Sequence, residues 1–433
     1  NDGHQDFVSQ RANQPASIYF GDGHGTFTAR ELQLGESWSI AVADYDQDGF
    51  LDLYGSYSGH LLRNNGDRTF TRMTTQAACR LPTTSTWGGA LWADYDDDGA
   101  LDLFCANNGG PTYLYHNNGP GCFTAVSSPV IGGSAIAGAW GDYDNDGRLD
   151  LCAASLNGIR DIYRNLGEGR FEPAKTGVAI QGVHNSAVWA DYDNDGWLDL
   201  FLTGHKNALY RNLGNGTLSQ VHIGSIAAEP PGAGAATING LWFDYNNDGF
   251  LDLYITAGDD FGKTRTPSFL YRNNGNSNTW LRVKLVGTVS NRDGVGAKVR
   301  VRAVFAGRAH WQRRDISGGD VYNGHHLIAH FGLGNAVRAD LVRIEWPSGT
   351  VQELRNVPVN QMLTVTEPPA LEALGEGRLR LLCWKGQNYE LEVSDDLDTW
   401  TSLGVVATDV NRPVVLDPGA AQRPYRFYRT KGL

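Results

Sequence analysis

The stretch Asp44-Tyr45-Asp46-Gln47-Asp48-Gly49-Phe50-Leu51-Asp52-Leu53 governs how the rest of the chain is read. It returns at 94–103, 142–151, 191–200 and 244–253, at intervals of 50, 48, 49 and 53 residues. A short apolar run precedes each copy. An Arg-Asn hairpin follows, as in Leu62-Arg63-Asn64-Asn65-Gly66 and Tyr163-Arg164-Asn165-Leu166-Gly167. A period near 50 residues, with four short apolar runs and Gly-rich turns, predicts one four-stranded propeller blade per copy. Strand one is the run before the motif, such as Ser186–Ala190, and strand two is the Leu-Asp-Leu segment. Strand three carries the Arg, and strand four follows the Asn-Gly turn, as in Thr69–Arg72. Trp92, Trp140, Trp189 and Trp242 each stand two residues before the first Asp and are expected to wedge between blades.

Working outward, Asn1-Asp2-Gly3-His4-Gln5-Asp6-Phe7 overlays Asn145–Leu151. The chain is therefore read as starting inside a sixth motif, with a signal peptide and further blades expected upstream. The fold class expected is all-β. It comprises a propeller of five complete blades and a truncated sixth, seven in total, followed by two smaller β units.

The 433 residues carry 48 Asp+Glu against 36 Lys+Arg, a net of −12. A general nucleic-acid binder is disfavoured, because a phosphate backbone would be repelled. No apolar run is long enough for a membrane-spanning helix. The charge is uneven: residues 1–280 net −16, residues 281–366 net +6, and residues 367–433 net −2. These steps coincide with changes of pattern and are taken as domain boundaries. The basic middle segment is expected to dock on the acidic propeller.

Asp-x-Asp-x-Asp-Gly-x-x-Asp places carboxylates at positions 1, 3, 5 and 9 of a tight loop. A glycine at 6 makes the sharp turn, and a main-chain carbonyl is available at 7. This is how a short loop wraps oxygen ligands around Ca²⁺, here with a strand following instead of a helix. The expected ligands are Asp44, Asp46, Asp48, Phe50 and Asp52; Asp94, Asp96, Asp98, Ala100 and Asp102; and Asp142, Asp144, Asp146, Arg148 and Asp150. The same positions recur as Asp191, Asp193, Asp195, Trp197 and Asp199, and as Asp244, Asn246, Asp248, Phe250 and Asp252. The residue at position 7 contributes its carbonyl only. Asn246 replaces an Asp, so that site should bind more weakly. Polar turns without a cation are the alternative, but four close carboxylates repel one another. Oxygen-only ligation disfavours zinc and copper, and Mg²⁺ ranks second to Ca²⁺. About five Ca²⁺ are expected, with a sixth at the truncated motif.

The repeated Asp-Tyr-Asp-x-Asp-Gly-x-Leu-Asp-Leu with its Arg-Asn hairpin resembles the FG-GAP/VCBS repeats of integrin-like propellers. Ser290–Ala297, Ser317-Gly318-Gly319, His330-Phe331-Gly332-Leu333-Gly334 and Glu345-Trp346-Pro347-Ser348-Gly349 resemble the ASPIC/UnbV domain. Together they are similar to bacterial relatives of cartilage acidic protein, over roughly residues 1–366. The resemblance implies a secreted calcium-binding propeller with a transthyretin-like β-sandwich attached, usually without assigned catalysis. This chain departs from the pattern at its first residues and at Gly319–His325.

Independently, Leu281–Val286, Lys298–Val304 and Leu341–Glu345 read as strands. So do Asn388–Val393 and Tyr425–Arg429 in the last unit, where Trp400 is expected in the core. His325, His326 and His330 are read as structural. Cys79, Cys105, Cys122 and Cys152 could pair in an oxidising compartment, in any of three ways, leaving Cys383 reduced.

Loops on a rigid scaffold tend to carry binding residues. On the face opposite the metal loops these would be Tyr57, His60, Asn107, Asn108, Asn157, His184, His205 and Lys206. Asp259, Asp260, Lys263 and Arg265 add a long loop there. The mixture suits an extracellular glycan or protein partner, with adhesion or scaffolding as the role. The rival expectation is a polysaccharide lyase or sugar dehydratase using His60, His184 and His205 as bases. A nucleophile elbow, a phosphate loop and zinc-type Cys/His spacing are all missing from the sequence.

Overall fold

A computed structural model describes residues 4–10, 15–37, 39–73, 81, 88–119, 122–126, 135–154, 161–177, 184–222, 224–226, 236–258, 267–319, 327–375, 377–384, 388–407, 413–420 and 426–432. Cys79, Asn157, Asp259, Asp260, Lys263, Arg265, His325 and His326 lie outside the described residues. Apart from a 3₁₀ turn at Gly224–Ile226, the regular structure among the described residues is all strand.

The repeats fold as six consecutive antiparallel sheets, built within residues 7–31, 40–72, 90–125, 137–173, 184–221 and 236–271. Among the described residues, the middle four have four strands in chain order and the first and last have three. The fold is an all-β propeller. Successive innermost strands, Ile40–Ala43, Ala90–Ala93, Ala137–Gly141, His184–Ala190 and Ala236–Phe243, contact one another in turn. Small residues make that approach possible: a Cβ on Gly240 would sit 2.9 Å from the Phe201 ring.

Between sheets the tryptophans pack as expected. Trp92, Trp140, Trp189 and Trp242 stack on Tyr45, Tyr95, Tyr143 and Tyr192 of the preceding motif, with ring centroids 5.8–6.4 Å apart. Each tyrosine is position 2 of an Asp loop, so the loop and the blade interface are positioned by the same residue.

Residues 279–366 form a sandwich of a three-stranded and a four-stranded sheet. Strand Thr279–Val286 pairs antiparallel with Ile328–Gly334 and parallel with Gln361–Thr366. Leu281, Val283, Val299, Val301, Phe331, Val342 and Ile344 fill its core. Glu367, buried at the exit, accepts three main-chain N–H bonds from Thr288, Val289 and Ser290 at 2.8 Å, and hydroxyl bonds from Ser290 and Ser348.

The last unit pairs Ala370–Gly375, Arg378–Leu382 and Val414–Leu416 in one sheet and Thr401–Ala407, Asn388–Ser394 and Phe427–Gly432 in another. Trp400 departs from expectation. It is only partly buried, with the Arg429 guanidinium 4.1 Å over its ring and its indole N–H on the Leu397 carbonyl. A cation above the ring covers it there, so the core is not needed to shield it. Trp384 is the residue that anchors this unit. Its ring meets Phe50 edge-on at 5.4 Å, and its N–H bonds the Ser290 carbonyl at 2.8 Å.

The cysteines also differ from expectation. Cys122 is disulfide-bonded, whereas Cys105 and Cys152 remain buried thiols in adjacent sheet cores, as does Cys383.

Candidate metal centres

Each Asp loop connects the innermost strand of a sheet to the second one. The residue at position 4 takes a left-handed conformation, with φ between 55° and 62° at Gln47, Asp97, Asn145, Asn194 and Asn247. The glycine at position 6 does so too, with φ between 86° and 97°, which only glycine adopts without strain. These two reversals turn positions 1, 3 and 5 toward one point.

The convergence is measurable. One carboxylate oxygen each from Asp44, Asp46 and Asp48 lies within 4.8 Å of the others. The same holds for Asp94, Asp96 and Asp98, for Asp142, Asp144 and Asp146, and for Asp191, Asp193 and Asp199. Position 1 accepts at Oδ2 the N–H of the position 6 glycine, at 2.8–3.1 Å in all five loops. Position 9 accepts two main-chain N–H bonds. Asp52 takes those of Tyr45 (3.2 Å) and Asn64 (2.7 Å), and Asp102, Asp150, Asp199 and Asp252 repeat the pattern. At position 7 the N–H groups of Phe50, Ala100, Arg148, Trp197 and Phe250 bond the position 5 carboxylate at 2.8–3.1 Å.

These bonds hold the loops but leave oxygens over. Asp44 Oδ1, Asp46 Oδ1, Asp94 Oδ1 and Asp142 Oδ1 are buried with no hydrogen-bond partner. A buried carboxylate oxygen without a donor costs free energy that a cation would recover. Burial pushes the carboxyls of Asp44 and Asp142 up to about 7 and those of Asp52, Asp102 and Asp150 up to about 9, and neighbouring carboxylates push the same way. The donor set, all oxygen at four positions, fits a hard divalent ion. The clusters can hold metal ions.

The loop at 244–252 differs. Asn246 donates to Asp248 Oδ2 at 2.7 Å, and Arg282 from the sandwich reaches Asp244 Oδ2 at 2.7 Å with both side chains buried. An amide donor and a guanidinium both lower the pull on a cation there.

The hairpin residues carry roles that the sequence reading did not assign. Arg63 bridges Asp46 and Asp48, Arg164 bridges Asp144 and Asp146, and Arg211 bridges Asp193 and Asp195, at 2.5–3.2 Å. The next residue, Asn, donates Nδ2 to the position 8 carbonyl of its own loop and to the position 2 carbonyl of the preceding one. The second bond runs from Asn117 to Tyr45, Asn165 to Tyr95, Asn212 to Tyr143 and Asn273 to Tyr192, at 2.7–3.0 Å. The signal was present in the return of that Asn after every Asp motif, though its distance from position 9 varies from 12 to 21 residues.

The sandwich seats its basic residues on the metal-loop face. Lys298 Nζ lies 2.6 Å from Asp94 Oδ2 and 2.7 Å from Asp97 Oδ1. Buried Arg313 bonds Asp97, Asp315 and the carbonyls of Asp94 and Gly147. His330, one of the three histidines read as structural, places Nε2 3.1 Å from the Gly249 carbonyl.

Family models match the repeats and the sandwich separately. An FG-GAP-like repeat model matches residues 1–55, 94–153, 142–202 and 191–255, and an "ASPIC and UnbV" model matches residues 287–372. The chain belongs to the FG-GAP repeat family and carries an ASPIC/UnbV domain. Human cartilage acidic protein 1 is 31% identical over 159 residues, which is 36% of this chain and 22% of the relative. The Xenopus tropicalis protein of that name is 30% identical over 164 residues, 35% and 24% of the two chains. The match thus spans about a quarter or less of the relatives' length. A crystal structure of BBS1N in complex with ARL6DN, soaked with lead, is similar at a TM-score of 0.31 and 12% identity, covering 79% of this chain and 88% of that one.

Among the described residues, the candidate histidines His60 and His184 of this FG-GAP propeller stand in different sheets. His60 begins strand His60–Asn64 and touches Arg72. His184 begins strand His184–Ala190, is buried, and has Nδ1 3.1 Å from the Thr203 carbonyl. Both stand in strands instead of loops, three sheets apart. His205 and Lys206 are exposed in the turn after Gly204, Tyr57 and Asn108 are partly exposed, and buried Asn107 bonds the Pro111 carbonyl. Among the described residues, no helix is long and apolar enough to cross a membrane.

Proposed function

We propose that this chain is a secreted, extracellular binding or scaffolding protein of adhesive type, whose propeller is braced by Ca²⁺ in its Asp loops. We take residues 1–280 as the propeller, 281–366 as the ASPIC/UnbV sandwich and 367–433 as a small β domain. The observation that carries the reading is the set of buried, partnerless carboxylate oxygens converging in successive loops. Bound Ca²⁺ would supply charge neutralisation and no chemistry of its own. Asp at positions 1, 3, 5 and 9 would hold it, with the position 7 carbonyl completing the set. The vertebrate relatives are named for cartilage, which supports an extracellular setting.

The sandwich covers the metal-loop side, so the opposite face, with Tyr57, His60, Asn107, Asn108, His205 and Lys206, is left for a glycan or protein partner. Two measurements test this. Melting with and without EDTA should show a large loss of Tm that Ca²⁺ restores; an unchanged curve would refute structural calcium. A glycan array run beside a polysaccharide-cleavage assay should show binding without turnover. Unsaturated sugar products would overturn the non-catalytic reading.

A further inference from the structure

One loop departs from its sisters in a way that changes which metal it suits. Where four hairpins carry Arg63, Arg164, Arg211 and Arg272, the hairpin facing loop 94–102 carries His116. Its Nδ1 lies 3.2 Å from Asp96 Oδ2 and 3.3 Å from Asp102 Oδ1, and its Nε2 lies 3.8 Å from Asp98 Oδ2. Arginine has no lone pair to offer a metal, whereas a neutral imidazole does.

Three further observations bear on the site. Nδ1 is buried and makes no hydrogen bond although two carboxylate oxygens stand beside it, so their directions do not suit donation. The 3.2–3.3 Å separations match ligands sharing one ion instead, since bonds of about 2.1 Å in a tetrahedron place ligand atoms roughly 3.4 Å apart. Asp94, only 2% exposed, holds Oδ1 without a partner within the same cluster of carboxylates.

Electrostatics point the same way. Lys298 lies on Asp94 Oδ2, and Arg300 and Arg313 lie on Asp97. These cations offset part of the negative charge on which an oxygen-only calcium site depends, while an imidazole ligand adds affinity for borderline ions.

We propose that His116, Asp96 and Asp102, with Asp94 beside them, form a mixed nitrogen–oxygen site for a transition divalent cation such as Zn²⁺ or Co²⁺, distinct from the calcium loops of the other blades. The proposal rests on reading the loops as metal sites. The test uses the full chain saturated with Ca²⁺ and titrated with Co²⁺, followed by visible absorption and by metal analysis after gel filtration. One equivalent of Co²⁺ should be retained, with a ligand-field spectrum that Zn²⁺ abolishes. His116→Arg, which installs the residue of the sister loops, and His116→Asn should both lose that equivalent while retaining Ca²⁺ elsewhere. Co²⁺ retention unchanged in both variants, or none in the wild type while Ca²⁺ still binds, would overturn the site. Failure to bind Ca²⁺ as well would instead sink the reading of the loops, and the two failures are told apart by the calcium content.

Discussion

Asn165 in the 137–173 sheet donates from Nδ2 to the main-chain carbonyl of Tyr95 in the preceding sheet, at 2.8 Å. The same amide nitrogen reaches the Leu149 carbonyl at 3.0 Å, and its oxygen accepts the Gly167 N–H at 2.8 Å. With 0% exposure, this side chain meets its hydrogen-bonding needs entirely inside the protein and ties two blades together.

Asn165→Ala should therefore strand two carbonyls and one N–H in the interior. We expect a loss of about 2–4 kcal/mol, at about 1–3 kcal/mol per buried group left unsatisfied and with partial relaxation. Urea denaturation of the calcium-loaded protein would measure it. A loss below a few tenths would show that the staple carries no load.

The raised carboxyl pKa values give a pH signature with a definite sign. Asp44 and Asp142 sit near 7, and Asp52, Asp102 and Asp150 near 9, when no cation is bound. These folded values lie above the unfolded ones, so their contribution to stability is present at acid pH and is lost as pH rises from about 4 to 9. In EDTA, Tm should fall between pH 6 and pH 9. With saturating Ca²⁺ the fall should vanish or reverse, because the ion holds the carboxylates ionised. Parallel Tm profiles in the two buffers would contradict this.

Arg313 is the cation most deeply set between the sandwich and the propeller. It bonds Asp315 on its own strand, and Asp97 and two carbonyls on the propeller. Removing it leaves Asp315 and the Asp94 carbonyl short of a donor, while Asp97 keeps Lys298 and Arg300. Arg313→Met should cost about 1–3 kcal/mol, the range for a buried group left unsatisfied. It should also speed proteolytic separation of the two units. Equal cleavage rates in variant and parent would argue that other contacts hold the sandwich in place.

Cys105 offers a readout of propeller integrity. Its thiol is fully buried, lies 3.5 Å from the Tyr54 hydroxyl, and is pushed by burial up to about 12. It should resist aromatic disulfide reagents at pH 8 in the native protein and react on unfolding, since the thiolate is the reactive form. Rapid labelling of Cys105 in the calcium-loaded state, located by peptide mapping, would show that the interior opens readily.

Most of the propeller was legible because its decisive residues repeat. Asp44, Gly49 and Asp52 recur at a fixed spacing, and Trp92 holds a fixed distance from Asp94, so each copy vouches for the others. The Arg-Asn pair was visible as a pattern, but its partners were not. Asn117 reaches Tyr45 across 72 residues, and nothing local names a backbone carbonyl as an acceptor. The seat of the sandwich was legible only as a charge difference. The pairing of Lys298 with Asp94 depends on strand register and on how the two units meet. Trp400 was misread because an aromatic between polar neighbours looks like core, when a stacked Arg429 can shelter it outside the core just as well.

The acceptor of every inter-blade staple is a main-chain oxygen, indifferent to the side chain that precedes it. Neighbouring sectors of the wheel therefore recognise one another through a joint that any homologous unit presents in the same place. Such a joint lets repeats be duplicated, exchanged or lost as cassettes while outward-facing loops diverge without restraint. It also accounts for how a His can replace an Arg in one sector and leave the adjoining sectors undisturbed.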